Sequence, residues 1–153
     1  MSLENEKKST KELVDEYKDI VTNLSKFIPW LEMKQGQNSM SNFVPQNAGL
    51  SLSIPRYDGM VIELVKALEA SGKMNRNYPY IYRNNKIYDV NDEISMIHRA
   101  TINDMDIIFG ILSNYIIQGR VKAVVWNEGV VNGIYYEALK KMKEIIEFWD
   151  MPL

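Results

Sequence analysis

Between Lys73 and Tyr88 the chain carries four cations (Lys73, Arg76, Arg83, Lys86), four tyrosines (Tyr78, Tyr80, Tyr82, Tyr88), four asparagines and no acid. Aromatic planes stack on flat heterocycles, and guanidinium or ammonium groups neutralise phosphate. Arg76, Tyr78, Tyr80, Tyr82 and Arg83 are therefore the candidate contacts for a nucleotide-like ligand. The favoured reading is plainer. It is a surface loop or hairpin whose tyrosines rest their rings on the body of the protein and keep their hydroxyls wet.

A second constellation is Arg120, Trp126 and Glu128, a candidate pocket. Val121, Val124 and Val125 mark one face of a helix, and Glu128, seven residues past Val121, falls on or beside that face. A carboxylate buried there needs a partner or stays protonated, the setting of a general acid or base. Arg120 lies eight residues away, ~12 Å along a helix axis, and is a poor direct partner. A structural or solvent-facing Glu128 is again the plainer reading. His98 is the chain's one histidine, and with no identifiable nucleophile near it in sequence it reads as a surface or interface residue. Asp104 and Asp106, and the run Asp89, Asp92, Glu93, match no calcium-loop spacing. Acids near helix starts are expected from the helix dipole alone. No metal and no cofactor is expected.

Composition narrows the classes further. There is no cysteine, which excludes a disulfide scaffold, thiol catalysis and zinc–thiolate or iron–sulfur sites. No phosphate loop, dinucleotide fingerprint or nucleophile elbow occurs. A net charge of −2 argues against a dedicated nucleic-acid packager while leaving room for a local basic patch. With 46% hydrophobic and 25% charged residues, 153 residues suffice for one domain with an ordinary core. Met1 to Lys11 mixes both charge signs without an apolar core, unlike a signal peptide. The longest apolar stretch, Ile107 to Leu112, falls short of the ~20 residues of a membrane helix. A soluble, cytoplasmic protein without membrane contact is the expectation.

The elements that must position these residues read as mostly helical. Residues 1–8 are expected to be disordered. Ser9-Thr10-Lys11-Glu12 is a capping box, and Leu13, Tyr17, Ile20 or Val21 and Leu24 make one stripe after it. Pro29 should bend or end that helix near Ile28. Gln35 to Asp58 reads as irregular, with Leu50, Leu52 and Ile54 alternating as a weak strand. Asp58 caps a helix that runs to Gly72. Lys73 to Asp89 holds a candidate hairpin, Tyr80–Tyr82 against Ile87–Tyr88, or a mobile loop. Helices follow over Asp92–Arg99, from the Thr101 cap to Gly119, over Val121–Asn132, and over Ile134–Trp149. The Thr101–Gly119 helix is apolar nearly all round and must be central. The expected fold is mainly α, an orthogonal bundle of five or six helices with a long irregular or short-strand segment in the first half.

Gly119-Arg120-Val121, Trp126, Asn132-Gly133-Ile134, Ala138-Leu139 and Met142, with Ile54-Pro55-Arg56-Tyr57 and the helix ending at Gly72 upstream, carry a resemblance. This pattern resembles a family of small bacterial, archaeal and phage proteins catalogued as domain of unknown function six-five-zero-eight, over roughly residues 28–145. Val121 stands where that pattern has an aromatic, and Ala123-Val124 where it has an acid followed by glycine. The resemblance implies a compact helical fold and a bacterial or phage origin, and it implies no activity. Phe148, Trp149, Met151 and Leu153 fall within the last six residues, where chain ends are normally polar. They either fold back near Leu13 and Tyr17 or form a homodimer through the last helix, and the dimer is favoured. The leading functional reading is a non-enzymatic protein-interaction module whose partner the residues do not name. The nucleotide-like ligand site is the alternative, and an enzyme using Glu128 or His98 a weaker one.

Overall fold

Helix α1 (Thr10–Leu24) starts at Ser9, whose side chain accepts from the Glu12 amide while Glu12 reaches back to the Ser9 amide. The computed structural model describes residues 8–43, 54–122 and 124–150. The expected disorder of residues 1–8 falls, except for Lys8, outside them. After α1 a single 3-10 turn (Ser25–Phe27) leads into α2 (Ile28–Lys34), with Pro29 in its first turn. Proline there forfeits only an amide that has no partner within α2, so it is tolerated in the first turn.

A two-stranded antiparallel ribbon follows, β1 (Met40–Phe43) with β2 (Ile54–Tyr57), Met40 opposite Tyr57 and Phe43 opposite Ile54. Apart from Ile54, the alternating segment 50–54 lies outside the described residues. Next come α3 (Gly59–Ala70), capped by Asp58, then α4 (Tyr78–Asn84) and α5 (Val90–Arg99), capped by Asp89. A 3-10 turn at Ile102–Asp104, closed by a Thr101–Asp104 capping box, starts α6 (Met105–Gly119). Helices α7 (Val124–Val131) and α8 (Ile134–Trp149) follow. The described part is mainly helical, and among its residues no helix is long and apolar enough to cross a membrane.

Two helices hold the rest. Helix α6 contacts α4, α7 and α8, and α8 contacts α1, α2, α5 and α7. Met105, Ile108, Phe109, Ile111, Leu112, Tyr115 and Ile116 of α6 are all buried, around more than one face. The apolar stripe of α1 (Val14, Tyr17, Val21, Leu24) is buried within the same bundle.

The candidate hairpin at Tyr80–Tyr88 is not formed; Tyr78–Asn84 is a helix. The physical reason is non-local. A two-stranded ribbon needs a surface to pack on, whereas a helix satisfies its own backbone and puts Ile81 and Tyr82 on the face toward α6. Gly110 makes that approach possible, since a Cβ there would sit 2.6 Å from Ile81 Cδ1. The helix expected over Val121–Asn132 begins only at Val124, and Val121 is exposed.

Because Ile108 and Ile111 are fully buried, a charge at either has no partner and costs several kcal/mol against a total of about 5–15. Ile108→Asp and Ile111→Asp should each abolish the cooperative thermal transition. Melts within a few degrees of wild type would remove α6 from the core.

Candidate functional site

Among the described residues, a buried polar network surrounds Glu93 of α5, a glutamate only 4% exposed. Tyr82 of α4 donates its hydroxyl to Glu93 Oε2, and Tyr115 of α6 donates to Oε1 at 2.6 Å. Each phenol is backed by an amide. Asn114 Nδ2 donates to Tyr82 Oη at 3.1 Å, and Asn132 Nδ2 to Tyr115 Oη at 3.0 Å. Gln118 in turn donates to Asn114 Oδ1. Every donor points toward the carboxylate, and the network joins α4, α5, α6 and the α7–α8 turn. Burial pushes the Glu93 carboxyl above its ordinary range, and the hydrogen bonds from Tyr115 and Tyr82 work against that rise. Burial first, and then the nearby Glu93, push Tyr82 upward. Tyr115 rises through burial and its bond to Glu93. Both phenols therefore stay protonated as donors.

This geometry rearranges the first constellation. Tyr82 turns inward to Glu93, and Tyr78 packs edge-on against it with centroids 6.3 Å apart. Arg76, Tyr80 and Arg83 remain exposed. Lys73 is drawn away: it pairs with Glu16 of α1 and sits 4.7 Å over the Tyr17 ring.

The second constellation comes together only in part. Arg120 lies 5.2 Å from the Trp126 ring centroid and grips Glu69 of α3 with Nε and Nη2, the former at 2.9 Å. Trp126 donates Nε1 to the Ile116 carbonyl at 3.0 Å. It enters the core across Gly119, where a Cβ would meet its indole at 2.0 Å. Glu128, expected on or beside the apolar face, is exposed instead. Val121 precedes α7, so a spacing counted from it does not follow that helix; Val125, Trp126 and Val130 set the buried side.

His98 Nε2 stands 2.8 Å from Glu137 Oε2 on the surface, and Lys141 donates to the His98 carbonyl at 2.9 Å. Asp89 and Asp104 are caps, and Asp92 accepts the Tyr88 amide. Among the described residues no group of three or more histidines and acids could hold a metal ion.

At the end of α8, Phe148 is 67% and Trp149 48% exposed, T-stacked at 5.1 Å. They border an open groove of about 310 Å³ floored by Ala100, Ile102 and Ile145. Met151 and Leu153 lie outside the described residues.

Sequence reasoning missed Asn114, Asn127 and Asn132. Asn127 Oδ1 accepts from Ser39 N at 2.8 Å and from Ser39 Oγ at 2.9 Å, which docks the base of the β-ribbon on α7. The pair is 88 residues apart, so local pattern carries no trace of it. No family model, no curated protein and no solved structure matches the chain.

The raised Glu93 pKa has a defined sign. The stability it contributes is fully present below the ordinary 4.5 and is lost as pH rises through the folded value. Glu93→Gln keeps one of the two acceptor oxygens and cannot ionise, so its fixed cost from the other is the same at every pH. Relative to this variant, wild type should melt progressively lower as pH is raised from acid to neutral. Melts offset by a constant amount at every pH would contradict the buried-carboxylate account.

Proposed function

We propose that the protein is a non-enzymatic protein-interaction module that acts inside the cell and self-associates through the exposed end of α8. The observation that carries this reading is Phe148 and Trp149, two large aromatic side chains left in water beside an apolar groove. Aromatic anchors in apolar pockets dominate the energy of protein interfaces. A projecting aromatic pair and a recess on the same face meet the requirement of a two-fold contact, in which each copy supplies both. Lys141 and Glu144 flank the groove and put one charge of each sign at its rim. The α1 stripe is already covered within the bundle, which leaves the α8 aromatics available to a second chain.

In the same reading the helices cross as an orthogonal bundle, and the protein belongs with the small bacterial and phage proteins that its C-terminal half resembles.

Light scattering at tens of micromolar should give a dimer for wild type. Phe148→Glu and Trp149→Glu should each weaken association by about 30-fold or more, the equivalent of ~2 kcal/mol for an interface anchor. Their melting should be unchanged once dilution is allowed for. A monomeric wild type, or dimers indifferent to both substitutions, would reject the reading.

A further inference from the structure

The turn that ends α4 holds a backbone conformation that its residue type does not favour. The Ile87 amide bonds back to the Tyr82 carbonyl at 2.9 Å and the Lys86 amide to the Arg83 carbonyl at 3.3 Å, the paired bonds of a Schellman turn. The turn needs a left-handed residue, and Lys86 takes that role with φ 55°. Glycine adopts this conformation without penalty, whereas a residue with a Cβ is strained there. Strain of this kind is kept where a side chain serves something else. Inside the fold Lys86 serves nothing visible: its side chain is exposed and forms no ion pair with a described residue.

Lys86 closes a row that runs along the segment: Arg76 lies in the turn before α4, Tyr80 and Arg83 on α4 and Lys86 in the turn after it, all exposed, and neither arginine forms an ion pair with a described residue. Tyr80 is 60% and Tyr88 79% exposed, so both rings stand in water. The next acids in sequence form no ion pair with the row; Asp89 accepts the Asp92 amide and Asp92 the Tyr88 amide. Beneath the row, Ile81 against Gly110 and Tyr82 on Glu93 fix the inner face of α4. The outer face is therefore presented in one orientation.

We propose that this face binds single-stranded nucleic acid, with Arg76, Arg83 and Lys86 meeting successive phosphates and Tyr80 and Tyr88 stacking on bases. The combination selects the partner. An acidic peptide would satisfy the cations and leave the rings without planar partners, and a duplex hides its base faces. A single strand offers phosphates and base planes together. This proposal does not depend on self-association through α8.

The test uses the full chain and a fluorescein-labelled oligothymidylate of about 16 nucleotides, titrated by anisotropy at several salt concentrations. Wild type should bind, with affinity falling as salt rises. Arg76→Ala and Arg83→Ala should each reduce the slope of log K against log salt by about 0.7. Tyr80→Ala should weaken binding about tenfold at unchanged slope, and Tyr80→Phe should retain it, since stacking needs the ring alone. Lys86→Gly gives the sharpest outcome: a higher melting temperature together with weaker, less salt-dependent binding. No binding at low salt would overturn the proposal. So would a Lys86→Gly variant that binds as tightly as wild type. Displacement of the strand by polyglutamate as readily as by unlabelled oligothymidylate would also overturn it, marking the row as a docking face for an acidic protein.

Discussion

A carboxylate buried without a cation has to be met by donors, and Glu93 gathers its two donors from two helices. Tyr82 comes from α4 and Tyr115 from α6, with Asn114 and Asn132 behind them. Leaving such a group unsatisfied costs more than any one of these bonds returns, so the set forms together or not at all. Helix α4 has only seven residues and no fully buried side chain, and a helix that short does not hold itself. Its attachment comes from Tyr82 on Glu93, Ile81 over Gly110, and the buried Ile87 in its closing turn. A further bond runs from the Asn75 amide to Ser113 Oγ at 2.8 Å. Through these contacts the interior decides which residues of the tyrosine-rich segment face water.

The cations divide along the same line. Lys73 is held by Glu16 and lies over Tyr17, and Arg120 is held by Glu69 and lies over Trp126. Both join elements distant in sequence, α1 to the segment after α3 and α3 to the end of α6. As half-exposed pairs they add modestly to stability and more to the choice of neighbour. Arg76, Arg83 and Lys86 have no such duty among the described residues. The fold thus separates cations that brace the bundle from cations turned outward, although Lys73, Arg76, Arg83 and Lys86 are close neighbours in sequence.

The parts legible in the sequence are those governed by neighbours a few residues apart. The Ser9 and Thr101 capping boxes, the Asp58 cap and the all-round apolar helix ending at Gly119 are of this kind. What escaped depends on distant partners. Tyr80-Ile81-Tyr82 has the alternation of a strand, and only Gly110 and Glu93, contributed by other elements, make it a helix that packs. A spacing counted from Val121 puts Glu128 by the apolar face, but the helix starts at Val124. In sequence Glu93 is one acid in a run, and its donor Tyr115 lies 22 residues on. The exposed Phe148 and Trp149 were legible as apolar residues near the chain end; the groove beside them, floored by Ala100 and Ile102, was not.

The central claim is that the Glu93 network holds α4 to the bundle, and amide hydrogen exchange on Tyr82→Phe tests it most directly. Removing this hydroxyl takes one charge-assisted donor from Glu93, worth about 2 kcal/mol. The amides of residues 80–87 should then exchange ~30-fold faster while those of Ile108 to Ile116 in α6 keep most of their protection. Exchange in α4 that is unchanged, or that rises equally throughout α6, would contradict the account.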